Sequence, residues 1–189
     1  MKKIVLFNGP PGSGKDTLAN GIHEIYESAL VKFAAPIKEN CRNIYGLTQN
    51  EWDAIDGDQQ AKIEPHEAFF GQTCRQVQIN FSELFLKPTH GEDIFGKLVV
   101  AKIMRMKSEL ILVSDSGFRR EAEVLVDKFG AENVLLVRIY RQGTTFEGDS
   151  RGYINLDDLG VDRYELLNNG SIKEAVHQVE MVMKKKGII

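Results

Sequence analysis

The sequence predicts an α/β fold in three layers, a parallel sheet covered by helices on both faces. Three observations carry that prediction. Apolar runs at Ile4–Phe7, 110–113 and 134–137 have the length of buried strands. Between them apolar residues recur at helical spacing. The first run leads into Gly9, four residues, Gly14 and Lys15, a glycine loop set between a strand and a helix. Strands alternating with helices give a parallel sheet, and such sheets bind ligands beyond the carboxyl ends of their strands.

In chain order, Ile4–Phe7 is the first strand, and Leu18, Ile22, Ile25 and Ala29 mark one face of the helix after the loop. Leu30 to Ala34 follows as a second strand. Pro36 suits the first turn of a helix, where its missing N–H has no partner to lose; Ile37, Cys41, Ile44 and Tyr45 give that helix an apolar face. Residues 46–74 are polar, acidic and broken by Gly57, Pro65 and Gly71, an insertion on the acceptor side in which Thr48 and Glu51 have capping-box spacing. Asp53, Asp56 and Asp58 there lack a calcium-loop pattern and read as a solvated acidic face. Helical spacing returns at Val77, Phe81, Leu84 and Phe85, with Arg75 at the start, and again at Phe95, Val99, Ile103 and Met106 after a turn through Pro88 and Gly91. Leu110 to Asp115 is a buried strand ending in a carboxylate, Ala122, Leu125, Val126 and Phe129 share a helix face, and Val134 to Ile139 is another strand. Residues 141–162 contain four glycines and no period, which marks a lid-like loop. Leu166-Leu167 belongs to a last short strand. Ser171 and Glu174 form a second capping box before a closing helix that buries Ile172, Ala175, Val176, Val179 and Met183.

The loop is a P-loop by pattern, and the chemistry explains its residue types. Phosphates need several N–H donors converging on them, and a backbone without Cβ atoms comes close enough to supply them. Gly9, Gly12 and Gly14 give that freedom, and the helix beginning at Lys15 adds its amides and the positive end of its dipole. Lys15 supplies a point charge for the outer phosphates. The hydroxyl expected on magnesium normally follows the lysine; here Asp16 intervenes and Thr17 carries it. That order resembles the nucleoside monophosphate kinase branch of P-loop proteins.

Composition sets limits on partners. The chain has 189 residues with a formal net charge of −3, and 42% of it is hydrophobic, which suits one domain, 1–189, with a substantial core. No basic stripe is present for long nucleic acid. Cys41 and Cys74 have no metal spacing and read as reduced thiols, and the four histidines are dispersed. Neither a signal segment nor a membrane span is evident, so the expected location is the cytoplasm, the host's for a viral protein.

Beyond the loop, Phe33-Ala34-Ala35-Pro36-Ile37-Lys38, Asp115 with Phe118 and Glu121, Arg141-Gln142-Gly143 and Asn169-Gly170-Ser171-Ile172 extend the pattern across most of the chain. Together these resemble the deoxynucleoside monophosphate kinases of bacteriophages. The resemblance implies transfer of the γ-phosphoryl of ATP to a deoxynucleoside monophosphate, with Mg2+. By it Gly9, Gly12, Ser13, Gly14, Lys15, Asp16 and Thr17 hold ATP, and Thr17 ligates the metal. Lys15, Arg75, Asp115, Arg119, Arg120 and Arg141 are the catalytic candidates; Lys38, Arg75, Asp115, Asp149, Ser150 and Arg151 are those for the acceptor. The family often carries an arginine where this chain has Gly117; either Arg119 or Arg120 replaces that charge from the next helix turn, or the role is lost. The family also tends toward Asp, Ser or Thr, His, then Glu where this chain has Asp149-Ser150-Arg151 without the Glu, a difference that bears on base or sugar preference.

A small-molecule nucleotide partner is expected, without membrane or long nucleic acid, and a homodimer is left open. A hydroxyl-directed P-loop kinase acting on a polynucleotide or a modified DNA base is the alternative. It needs a carboxylate base, for which Asp16 or Asp115 would serve. A nucleotide-dependent switch would carry a guanine signature that the sequence lacks.

Overall fold

Five parallel strands form one sheet in the order β2-β3-β1-β4-β5. They are β1 Lys3–Asn8, β2 Ser28–Val31, β3 Leu110–Ser116, β4 Val134–Tyr140 and β5 Asp162–Leu167. The most apolar run takes the centre, with Ile4 of β1 opposite Ile111 on one side and Val134 on the other. The computed structural model describes residues 1–58 and 60–189. They divide into two compact units, Met1–Phe33 with Phe95–Ile189, and Ala34–Ile94.

The first unit holds the sheet. Helices α1, Lys15–His23, and α8, Ile172–Lys185, pack together, burying Leu18, Ile22, Val176, Val179 and Met183 with Val5, Phe7 and Val137 of the sheet. Each fully buried side chain of this size contributes about 1.5–3 kcal/mol of transfer free energy. Helix α6, Ile94–Arg105, leads into β3, and α7, Arg119–Phe129, packs on β3 and β4, completing the three layers. The Ser171–Glu174 capping box forms as the spacing predicts and satisfies amides at the start of α8.

Two boundaries fall differently from the sequence prediction. The first helix stops at His23, and Ala29 lies in β2 instead. The turn closes through Ile25 and Tyr26 N–H groups on the carbonyl of Ile22, which leaves Ile25 55% exposed. The second strand covers Ser28–Val31 rather than Leu30 to Ala34, because only that stretch pairs with β3. Beyond it the Phe33 N–H leaves the ladder and donates to the Asp115 carboxylate at 2.8 Å.

The second unit is helical, with α2 at Ala35–Ile44, α3 at Gln49–Asp56 and α4 at Cys74–Asn80. Pro36 sits in the first turn of α2, and the Thr48–Glu51 capping box opens α3. Cys41, Trp52, Ile55, Phe69, Cys74 and Val77 form its core, with Phe69 set edge-on to Tyr45 at 5.0 Å. Ile44 is not part of the buried face, being 64% exposed. The turn expected through Pro88 is helix instead. A π-helical stretch, Phe81–Leu86, continues α4 into a further helical turn at α5, Lys87–His90, whose first positions accept the proline. The wider π turn shifts the face, so Leu84 and Phe85, which share the helical spacing of Val77 and Phe81, are 75% and 53% exposed.

Asp56 also departs from its reading as solvated. Its side chain is only 9% exposed and accepts from Lys38 Nζ and Lys62 Nζ, both at 2.6 Å, and from Gln78 Nε2 at 2.8 Å. Burial alone would raise its carboxyl, but the two lysines reverse this and hold it at about 2. Sequence periodicity could not show a carboxylate at a helix end gathering partners from two later segments. Lys38, an acceptor candidate, is one of these partners.

Candidate active site

The P-loop runs from the end of β1 into α1. Gly12 and Gly14 adopt φ of +77° and +98°, a region favouring glycine, so the loop folds back before the helix begins. The first helical bond runs from Leu18 N–H to Gly14 O, and the amides of Gly14 to Thr17 precede any intrahelical acceptor. Converging amides at a helix start suit an anion. Ser13 Oγ is buried and finds no partner among the described residues. A hydroxyl left over inside a loop of this shape fits a triphosphate that would accept from it.

Lys15 is 9% exposed and donates through Nζ to Gly9 O at 2.6 Å and Pro10 O at 2.7 Å. Burial, aided by the charge of Arg151, pushes its ammonium down to about 8. A fall from 10.5 to about 8 corresponds to about 3 kcal/mol at about 1.4 kcal/mol per unit, an order-of-magnitude cost of keeping the cation charged in the fold. The unfolded chain then binds the extra proton between pH 8 and 10.5, so this group's contribution to stability improves as pH rises through that window. Lys15→Met is therefore expected to melt higher relative to wild type at pH 7 than at pH 10, in paired thermal melts. A difference that stays constant with pH would refute the buried, strained cation.

Around the lysine the strand ends deliver further polar groups. Asp115, at the end of β3, and Asp149 both act on the Lys15 charge. Asp16 accepts from Ser114 Oγ at 2.6 Å and pairs with Lys32 at 2.7 Å. Burial would raise its carboxyl, but these partners hold it below the usual carboxylate range. Thr17 stays exposed at the first turn of α1. From the end of β4, Arg141 donates to Gly12 O at 3.2 Å and so sits on the loop's rim. Two asparagines brace the loop. Asn8 Nδ2 donates to Ser116 O at 2.8 Å and Gly152 O at 2.9 Å while Oδ1 accepts from Ile154 N–H at 3.1 Å; Asn168 Nδ2 donates to Ser13 O at 2.8 Å. Asn168 follows the last residue of β5, and its loop contact has no local signal in the sequence.

Beside the loop lies a hollow of about 570 Å3, walled by Pro10, Tyr140, Arg141, Thr144, Tyr153 and Leu167. Tyr153 stacks on Tyr140 with ring centres 4.5 Å apart, and Phe146 meets Tyr153 edge-on at 5.0 Å. The Tyr153 hydroxyl is anchored on Ile139 O at 2.9 Å. The hollow is lined by aromatic rings on one side, and Pro10 and Arg141 border both it and the phosphate loop. Sequence reasoning missed it, because most of its walls come from the aperiodic stretch after β4, and the rest from Pro10, Leu167 and Asn169 far along the chain.

Two arginines expected at this edge have other partners. Arg119 binds Asp158 through Nη1 at 2.8 Å and Nη2 at 2.6 Å, Glu123 through Nε at 2.7 Å and the Asn155 carbonyl at 2.6 Å, so it clasps the loop before β5. Arg120 is 75% exposed and touches Glu123 at 3.5 Å. The space over Gly117 is filled by Arg151. Arg151 is held by Asp149, and Ser150 between them is exposed. Arg75 lies in the first turn of α4, behind the cap of Thr73 in the helical unit.

Among the described residues no helix is long and apolar enough to cross a membrane. No family model matches the chain, and no curated protein matches it in sequence. Solved structures similar to it include shikimate kinase from Acinetobacter baumannii in complex with shikimate, at 14% identity and a TM-score of 0.48 over 100% of this chain and 97% of that one. A gluconokinase from Sinorhizobium meliloti 1021 aligns at 11% identity and a TM-score of 0.46, over 97% of this chain and 92% of that one. The APS kinase CysC of Mycobacterium tuberculosis, as a Cys556Ala mutant, aligns at 14% identity and a TM-score of 0.44 over 97% of each chain. Similarity this low carries nothing about activity to the present chain, whose α/β three-layer architecture is established by its own strand order.

Proposed function

We propose that the protein transfers the γ-phosphoryl group of ATP to a deoxynucleoside monophosphate, giving ADP and the deoxynucleoside diphosphate. The observation that carries this reading is the state of the carboxylates at the loop. Asp16 is paired with Lys32 and Ser114, Asp115 accepts from the Phe33 N–H, and Asp149 is bound to Arg151. A hydroxyl acceptor needs one of them as a base. A phosphate monoester needs none, because with a second pKa of about 6 it is an oxyanion at neutral pH. This favours the monophosphate acceptor over the hydroxyl-directed alternative.

The transfer is then positioning and charge neutralisation. An acceptor phosphate oxygen forms a bond to the γ-phosphorus, the bond from that phosphorus to the β-bridging oxygen breaks, and ADP leaves with the electron pair. The loop amides from Gly14 to Thr17 hold the phosphate tail, and Lys15 exchanges its carbonyl partners for the outer phosphates. Magnesium, when bound, spreads the charge of the β and γ oxygens, and the Thr17 hydroxyl is the group that would hold it. The adenine fits the Tyr140–Tyr153 hollow, with Arg141 between base and phosphates.

A compound joining adenosine to a deoxynucleoside through five phosphates tests the arrangement. It is expected to bind at least tenfold tighter than ATP and to compete with both substrates. Affinity no greater than that of ATP would remove the second nucleotide site. Separately, Tyr153→Ala is expected to weaken ATP about tenfold, the loss of about 1–2 kcal/mol of stacking, and to leave inorganic tripolyphosphate binding within twofold. Equal loss for both ligands would place the base elsewhere.

A further inference from the structure

The P-loop helix carries a negative charge at the end that receives an anion. Asp16 lies in the first turn of α1, and its own N–H is one of the amides that precede the first intrahelical bond. A helix start next to the buried Ser13 Oγ, which has no partner among the described residues, suits phosphate oxygens. A carboxylate in the same turn repels them. The fold holds that carboxylate in place. Ser114 Oγ donates to Asp16 Oδ1 at 2.6 Å, and Lys32 Nζ meets the same oxygen at 2.7 Å. The sheet sets up both contacts, because Val31 of β2 lies opposite Val113 of β3 and Lys32 and Ser114 follow side by side. Ser114 is 3% exposed, whereas the side chains of Lys32 and Asp16 are 44% and 60% exposed. Oδ1 is therefore fixed from two directions, and Oδ2 is left for solvent or for what enters the loop.

An exposed ion pair of this kind stabilises a fold little, so its weight falls on the ligand. A bare triphosphate meets Asp16 as a like charge. The same phosphates carrying a divalent cation present a positive centre, and magnesium in phosphate sites takes one or two carboxylates together with the substrate's oxygens. Oδ2 is a donor of that kind, one residue before the Thr17 hydroxyl. Lys32 opposes both effects, since its charge offsets that of the carboxylate. We propose that Asp16 and Lys32 set the loop's metal requirement. Asp16 turns away the bare triphosphate and accepts the divalent complex, and Lys32 limits how sharply it does so. The pair rests on the kinase reading only for ATP as the ligand. Ser114 is a positioning residue that fixes the carboxylate.

The test is calorimetric titration of the intact chain with ATP, once in EDTA and once in excess MgCl2, reading the ratio of the two dissociation constants. Asp16→Asn is expected to tighten ATP in EDTA about tenfold, the effect of removing one like charge within a Debye length of the phosphates. It is not expected to tighten ATP in MgCl2, so the ratio of the EDTA to the MgCl2 constant falls about tenfold or more. Lys32→Met is expected to weaken ATP in EDTA at least threefold and to leave ATP in MgCl2 within twofold, so the ratio rises. An Asp16→Asn ratio within twofold of wild type, or a Lys32→Met ratio that does not rise, overturns the pair. Should Asp16→Asn fail to fold, the direction of the Lys32→Met ratio decides alone. The two readings fail separately. A ratio that follows Asp16 and Lys32 in a protein that phosphorylates no mononucleotide sinks the kinase reading and keeps the pair. An unmoved ratio in folded variants whose parent phosphorylates mononucleotides does the reverse.

Discussion

Replacing Lys15 with alanine is expected to lower kcat/KM for phosphoryl transfer by about a thousandfold while the circular dichroism spectrum stays that of wild type. The size follows from removing one pre-positioned charge from the site where negative charge is handed over, an effect of about 10²–10³ for a single donor and more for a full cation. The fold is expected to survive because Lys15 stabilises little on its own. Its two hydrogen bonds go to loop carbonyls, and burial has already pushed its ammonium down to about 8. Retained turnover in a folded Lys15→Ala variant would remove the lysine from the chemistry. A variant that unfolds would show that the two carbonyl contacts hold the loop together.

The second large effect lies in the helical unit. Asp56→Asn is expected to destabilise the protein by about 3 kcal/mol at pH 7, read from urea unfolding, because it leaves Lys38 and Lys62 partly buried without their counter-charge. The carboxyl sits at about 2 in the fold against an ordinary value of 3.8. A carboxyl whose pKa is lowered on folding stabilises fully above its unfolded value and loses that contribution as pH falls through the folded one. The gap between wild type and Asp56→Asn is therefore expected to be constant from pH 7 to about 5 and to close toward pH 2. A gap that persists at pH 2 would assign the effect to packing or to the Gln78 contact instead of charge.

These two sites differ in how far sequence could show them. The P-loop was legible because its meaning is local. Gly9 to Thr17 must form one turn, and the flanking periods identify strand and helix. The same holds for the capping boxes at Thr48 and Ser171, where donor and acceptor are three residues apart. The sheet was legible because its central strands are buried on both faces and carry unbroken apolar runs. What failed was non-local. Asp56 looked solvated because its partners arrive from positions 38, 62 and 78. Ile25 and Ala29 kept the helical period by coincidence, past a helix that had already closed on Ile22. Leu84 and Phe85 were misplaced because a π turn changes the angle per residue, which composition does not announce.

Gly117 illustrates the limit most clearly. By the family resemblance it stands where an arginine is common, with Arg119 and Arg120 as the nearest substitutes in the chain. In the fold Arg119 is bound by Asp158 and Glu123, and the side chain over Gly117 comes from Arg151, more than thirty residues later. Sequence distance and spatial distance part company wherever a long loop returns to a strand end. Residues 141–162 do so through Asn8, which bonds to Gly152 and Ile154, and through Arg141 on the loop rim.

The most direct measurement of the central claim follows the label of γ-32P ATP. The protein is incubated with deoxynucleoside monophosphates, with DNA, with small hydroxyl acceptors and with water alone. The account predicts label in a deoxynucleoside diphosphate, formed with equimolar ADP, and no more than trace release elsewhere. Label on DNA or on a hydroxyl, or label released only as inorganic phosphate, would contradict it.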